Sequence, residues 1–321
     1  MEKNKKIISF AITLILLAFV DLLIGESNIR LLNLFSLSKT EKTILFDIRL
    51  PEVLTSLVVG LSLGLVGSIM QTILNNPLAD PFTLGVSSAA GFGASLFLSL
   101  GLSLSYIAFG SIGFSLLSMV FVYRISRKKE MNTEDMILAG IAVKLFFDSF
   151  ISLLQYLASE ETLSSIVFWL FGNVNKTSYK QILIIAIVFC IVLFLSLRDS
   201  WKLMTMRFGE TRAEAMGIDT SKLKIKSFIM VSILAAISVS FVGIIGFIGI
   251  ISPHFARKLV GEDQRYYLSL SSLIGAMLLV ISSMLSKLIK SGVIIPIGII
   301  SALVGLPLIF ITIFGDRDAR S

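Results

Sequence analysis

Lys144 and Asp148 stand four residues apart in an otherwise apolar run, a spacing that puts both on one face of a helix. An ionisable pair inside such a run turns toward protein or a water-filled cavity. Three roles fit it. The spacing favours a mutual salt bridge; the others are direct contact with a passing substrate and a lysine that snorkels toward the cytoplasm. Other chemistry is sparse. One cysteine, Cys190, and one histidine, His254, exclude disulfides and a cysteine-rich metal site and argue against a histidine-based metal centre. No Gly-x-x-x-x-Gly-Lys-Ser/Thr phosphate loop occurs, so ATP is not bound and hydrolysed here by that chemistry. No clustered acid, base or nucleophile constellation is visible, so no catalytic residue, metal site or resident cofactor is expected.

The elements that must position these residues are membrane spans. The chain of 321 residues is 55% apolar and 15% charged, against roughly 25% charged in a soluble domain. A crossing needs ~20 mostly apolar residues. Runs that qualify lie near 7–24, 52–74, 82–100, 102–123, 136–158, 181–197, 228–250, 267–289 and 294–314. The first follows Lys3, Lys5 and Lys6, reaches Ile24 and has no small-residue cleavage signal, so it reads as a retained span over residues 1–24. Residues 252–261 add a segment that as a helix reaches only ~15 Å, half of the hydrocarbon thickness. The expected fold is therefore all-α and integral to the membrane, one transmembrane domain over 1–321. It has ten transmembrane helices, the short one included.

Charge sets the orientation. With both termini cytoplasmic, nineteen Lys and Arg fall inside and eight outside: Arg30, Lys39, Lys42, Arg49, Lys176, Lys180, Lys287 and Lys290. The net charge of +7 is the excess that membrane proteins keep on the cytoplasmic side rather than a nucleic-acid footprint. This parity requires 252–261 to return the chain inward. Ser252 suits a helix cap, Pro253 a first helical position, and Arg257 with Lys258 a helix C-terminus. The preceding Gly243, Gly246 and Gly249 permit either a discontinuous helix along a translocation path or a glycine seam between packed helices.

Three motifs recur in one order. Arg49-Leu-Pro and a Gly-rich helix lead into the elbow Asn75-Asn-Pro-Leu-Ala-Asp-Pro81, whose prolines end a helix. Gly246-Phe-Ile-Gly-x-x-x-Pro-His-x-x-Arg257 follows, and then Ile295-Pro-Ile-Gly298 with Gly305-x-Pro307. Together they resemble the permease subunits of iron-siderophore, haem and vitamin B12 ABC importers, the FecCD type, over Ile48 to Phe314. The resemblance implies the cobalamin-permease-like type II importer fold in a bacterial cytoplasmic membrane. It also implies a second permease subunit (the same or a different chain), ABC ATPase subunits that carry ATP and Mg, and an extracytoplasmic substrate-binding protein.

Site residues follow from the same resemblance. In the charged loop 198–226, Glu210, Arg212, Ala213 and Gly217 match a coupling helix that seats in the ATPase, with Ala213 and Ala215 small enough for close docking. Asn76, Leu78, Thr133 and Glu134 match the cytoplasmic gate. Arg49 and Lys287 match outer cations that dock the binding protein, although Glu52 stands where many relatives are basic and Lys287 lacks the arginine fork. Lys144 and Asp148 have no counterpart in the family pattern. The function these residues imply is ATP-driven import of a chelated metal compound, a ferric siderophore first, with haem or cobalamin as alternatives. An ion-coupled secondary transporter would need ionisable relays at membrane depth, where only Lys144 and Asp148 qualify.

Overall fold

The computed structural model describes residues 2–25, 38–127, 133–289 and 295–318, and the regular elements among them are all helices. α1 (Glu2–Leu23) is followed by α2 (Lys39–Thr43), a π-helical turn over Ile44–Arg49 and α3 (Leu50–Ile73), the last three forming one 35-residue rod. The elbow separates α3 from α4 (Val86–Ser99). Then come α5 (Leu104–Arg127), α6 (Thr133–Leu157), α7 (Glu160–Leu170) and α8 (Tyr179–Arg198). α9 (Ser200–Met206) and α10 (Glu210–Ala215) lie in the charged loop, and α11 (Thr220–Val242), α12 (Ile248–Val260), α13 (Gln264–Leu288) and α14 (Ile297–Asp318) complete the chain. Arg30, Lys128, Lys129, Lys290 and Arg320, five of the charges that set the orientation, lie outside the described residues.

Among the described residues, seven helices are long and apolar enough to cross a membrane: α1, the α2–α3 rod, α5, α6, α8, α11 and α13. α4 and the apolar part of α14 are shorter, and α12 is the half-span. Two expected runs are cut back by backbone geometry. The run at 82–100 opens with turns over residues 81–85, and the run at 228–250 ends at Val242, where Gly243 takes φ +78°. The amphipathic α7 was missed by hydropathy. Its start is fixed locally, by Ser159 accepting from the Thr162 backbone N–H and by Glu160 and Glu161 in its first turn.

α3 is the hub. It is buried along almost its whole length, against α13 on one side and α11 and α12 on others. Glycines make this contact close: a Cβ on Gly64 would lie 2.3 Å from the Ser271 carbonyl oxygen, and one on Gly67 1.9 Å from that of Gly249. The Ser271 hydroxyl seals the seam by donating to the Gly64 carbonyl at 2.8 Å. Small residues that let backbones touch are the usual means of helix association where hydrophobic burial no longer discriminates.

The half-helix starts four residues earlier than its Ser-Pro sequence suggests. Ser252 does not cap it; its hydroxyl donates back to the Ile248 carbonyl, and Pro253 lies inside the helix. Pro253 has no N–H to offer the Gly249 carbonyl one turn back, and it is this carbonyl that faces Gly67. Phe247, at φ +70°, turns the chain into the helix. At the other end Lys6 donates to the Leu259 carbonyl at 3.0 Å, a cation at a helix C-terminus.

Candidate translocation and coupling sites

The elbow builds itself from short polar side chains. Asn75 takes φ +43°, and Asn76 Oδ1 accepts from the Leu78 N–H at 2.9 Å. Asp80 Oδ1 accepts from the Phe82 N–H at 2.9 Å, while the Thr83 hydroxyl bridges both backbone polar groups of Asp80. These turns leave Leu78 57% exposed and bury Asp80 beside Gly249 in the first turn of α12. The elbow then packs backbone to backbone on α6. A Cβ on Gly140 would meet the Leu84 Cα at 2.7 Å, and one on Gly85 the Lys144 amide nitrogen at 2.9 Å. Gly85 has φ +76°, so glycine is needed there for conformation as well as space.

A polar network ties this elbow to the charged loop 198–226. Arg207, at the C-cap of α9, grips Glu262 with two bonds, Nη2 to Oε1 at 2.8 Å and Nε to Oε2 at 3.0 Å. Its Nη1 reaches Asn75 Oδ1 at 2.9 Å and the Gln71 carbonyl at 3.4 Å. Arg257 of α12 lies 2.9 Å from Glu262 Oε1 and donates to Gln71 Oε1 and to the buried Tyr267 hydroxyl. Gln71 in turn donates to the Ile250 carbonyl of the half-helix. Five elements thus meet around two arginines: α3, the elbow, α9, α12 and the start of α13. Bidentate arginine pairs fix orientation as well as distance.

The loop itself is anchored from below. Glu210 pairs at 2.6 Å with Lys224, whose side chain is 1% exposed, and the Thr220 hydroxyl donates to Glu214. Burial works against the charge of Asp199, but hydrogen bonding and attraction from Lys226, then Lys202, outweigh it and hold its carboxyl below the usual range. Gly209 and Gly217 bracket α10 with φ of +99° and +80°. Arg212, Ala215 and Gly217 remain exposed, flanked by Phe208 and Met216.

At the other end of α3 a second charged cluster is buried. Lys287 pairs with Asp21 at 2.8 Å and Glu52 at 3.3 Å, and Arg49 donates to the Leu22 and Leu23 carbonyls at the end of α1. Arg49, Asp21 and Glu52 are each 5% exposed or less.

Comparison with known proteins places the whole arrangement. Residues 13–314 match the model of the FecCD transport family. The chain belongs to the FecCD transport family. Members are the membrane permease components of ABC importers, with ATP hydrolysed on separate subunits. The molybdate import system permease protein MolB of Haemophilus influenzae is 32% identical over 277 residues, covering 85% of this chain and 82% of that protein. The Fe(3+)-citrate import system permease protein YfmD of Bacillus subtilis is 30% identical, covering 95% and 94%. A solved metal-chelate type ABC transporter in an inward-facing conformation superposes with a TM-score of 0.87 at 31% identity, covering 97% of this chain and 99% of that one.

Against this background the permease corrects two sequence expectations, the exposure of the outer cations and of Ala213. Arg49 and Lys287 are not open rim cations: both are consumed in a buried cluster, and the acid Glu52, the departure from the family pattern, is the partner that holds Lys287. Ala213 is fully buried in the core, so only Ala215 of the two small residues offers an open docking face. The close contact between elbow and α6 is made by Thr83, Leu84 and Gly85 with Gly140 and Lys144; Thr133 and Glu134 lie at the first residues of α6. Lys144 and Asp148 do form a mutual ion pair, at 2.5 Å. Arg207, Glu262 and Gln71, the centre of the polar network, were not singled out by sequence. No motif marks them, since each pairs with residues far away in the chain.

Proposed function

We propose that this permease subunit imports a chelated metal compound, a ferric siderophore before haem, cobalamin or an oxyanion, with both termini in the cytoplasm of a bacterial cell. The observation that carries the mechanism is the Arg207–Glu262–Arg257–Gln71 network. An ATPase that pushes on the exposed face of α10, at Arg212, Ala215 and Gly217, moves a loop anchored through Glu210 and ending at Arg207. Arg207 passes that displacement to Asn75 in the elbow and, through Glu262, to the half-helix. Elbow and half-helix are the irregular backbone at membrane depth, where a path opens and closes. Asn76, Leu78, Thr133 and Glu134 form the inner gate in this reading.

The cargo is selected before it enters. Among the described residues no group of three or more His, Cys, Asp or Glu is placed to hold a metal ion, which suits a metal that arrives wrapped in its chelator. Binding-protein docking falls to exposed outer cations, Lys39 and Lys42 on α2 and Lys176 and Lys180 before and in α8. The Tyr179 hydroxyl joins these two regions by donating to the Phe46 carbonyl.

The test is reconstitution in liposomes with the ATPase and binding protein encoded beside it, using radioactive iron in a ferric siderophore. ATP-dependent accumulation is expected. Uptake of haem, cobalamin or molybdate alone would correct the cargo, and uptake driven by an ion gradient without ATP would overturn the reading.

A further inference from the structure

The Lys144–Asp148 pair lies near the midpoint of α6, a helix of 25 residues, yet its side chains are 43% and 39% exposed. Ionisable groups at that depth do not face lipid without cost. They are also not alone. At 100° per residue, Glu134, Lys144, Asp148, Ser152 and Gln155 fall within a roughly 80° arc that they share with Ile137 and Ile141, so that a polar stripe runs along one side of the helix from Lys144 to Gln155. Each is exposed or half-buried, while the buried side of α6, with Met136, Val143, Phe147 and Ile151, packs inward. The apolar face suited to lipid is elsewhere on the helix, where Phe150 meets Phe92 edge-on and Phe146 meets both Phe147 and Phe150.

Position adds a second observation. The backbone of Lys144 touches Gly85, the last residue of the elbow. The pair therefore sits immediately beside the segment that the proposed mechanism moves. Chemistry adds a third. An ammonium carries three N–H donors, and Asp148 takes one of them. One turn further on, the Ser152 hydroxyl donates to the Asp148 carbonyl and Gln155 brings an amide donor to the same arc.

We infer that Lys144 is a contact point for oxyanionic groups of the passing cargo, carboxylates or an inorganic oxyanion, in a water-filled path bordered by the polar stripe of α6. Asp148 holds the ammonium in place and competes with the cargo for it, which keeps the contact weak enough to release. The inference rests on the transport reading above, but its first test does not.

Cys190 is replaced by serine and Ser152 by cysteine in the permease–ATPase complex in liposomes. The thiol is then titrated with two water-soluble methanethiosulfonates, one bearing a sulfonate and one a trimethylammonium group. Both should label Ser152→Cys, whereas Phe150→Cys stays protected in lipid. The sulfonate-to-ammonium rate ratio should fall roughly tenfold when Lys144→Gln is added and rise with Asp148→Asn, as one partly screened charge acting on probes of opposite sign requires. Lys144→Arg, which keeps the charge, should leave the ratio near its starting value. Protection of Ser152→Cys from both reagents, or a ratio unmoved by Lys144→Gln and Asp148→Asn, overturns the inference and leaves a structural ion pair. Uptake of ferric citrate and molybdate separates the two readings. If the parent complex carries either and Lys144→Gln raises KM more than it lowers kcat, both stand. If the parent carries neither, the cargo reading fails while the thiol ratio still decides the role of Lys144.

Discussion

In the proposed orientation α3 has an outer and an inner end, and the two carry networks of similar composition and opposite character. At the outer end Asp21, Arg49, Glu52 and Lys287 are buried and join three full-length helices, α1, α3 and α13. At the inner end Arg207, Arg257 and Glu262 are 17%, 20% and 39% exposed and join short pieces: a loop helix, an elbow and a half-helix. Burial makes the difference. A charge held out of water cannot lose its partner without a large penalty, so the outer cluster is a fixed clamp. A partly wet pair exchanges a partner for water at little cost, so the inner network can rearrange during a transport cycle. In the proposed mechanism one end of the hub helix holds still while the other moves.

The largest expected effect comes from breaking the clamp. Lys287→Ala leaves Asp21 and Glu52 buried without their cation and should destabilise the detergent-solubilised protein by about 3–5 kcal/mol, read as a fall in melting temperature and in membrane yield. Adding Asp21→Asn and Glu52→Gln should recover most of it, because neutral amides need no counter-charge. Recovery by the acids' removal would distinguish the clamp from a docking site, where the same changes would leave stability untouched and alter binding-protein affinity instead.

Arg49→Ala comes next. It removes the donor that satisfies the Leu22 and Leu23 carbonyls at the end of α1, and a loss of about 1–3 kcal/mol is expected in the same melt. An unchanged melting temperature with weakened binding-protein docking would return Arg49 to the rim.

At the wet end Glu262→Gln should cost about 1 kcal/mol or less in stability. ATP-driven uptake should nonetheless drop severalfold, because the amide cannot grip both arginines. A large loss of stability would show that the inner network is a clamp of the same kind.

The smallest effect concerns pH. Asp199 has a folded pKa below its unfolded value of 3.8, so its contribution is present above that value and lost only as pH falls through the lower folded one. Protease nicking in the loop around α9 and α10 should therefore be flat from pH 7 to about pH 5. Nicking that rises near pH 6 would mean that other groups hold the loop.

Sequence alone reached the spans, the elbow and the charged loop because each is written in a local signal: an apolar run, Pro77 and Pro81, a stretch dense in charge. It placed the half-helix four residues late because Ser252-Pro253 looks like a helix start, whereas the turn is made by Gly243 and Phe247 through backbone conformation. It put Arg49 and Lys287 on the surface because both match basic family positions that dock the binding protein. The available clue was Glu52, an acid at a position where a docking surface calls for a base. Ala213 was misread because six residues of α10 do not reveal which side the helix turns to its own core. Arg207 and Glu262 were beyond reach for a simpler reason: they are 55 residues apart and meet only in the folded chain.

The central claim is that Arg207 carries motion from the ATPase-facing loop to the elbow and half-helix. It is tested most directly by the number of ATP molecules hydrolysed per cargo molecule accumulated, measured in liposomes holding the complete transporter with Arg207→Ala. The account predicts that hydrolysis continues while uptake falls, raising this number about tenfold or more, as expected for a lost interaction of ~1.4 kcal/mol in the productive step. An unchanged ratio, with both activities intact or both reduced together, would contradict it.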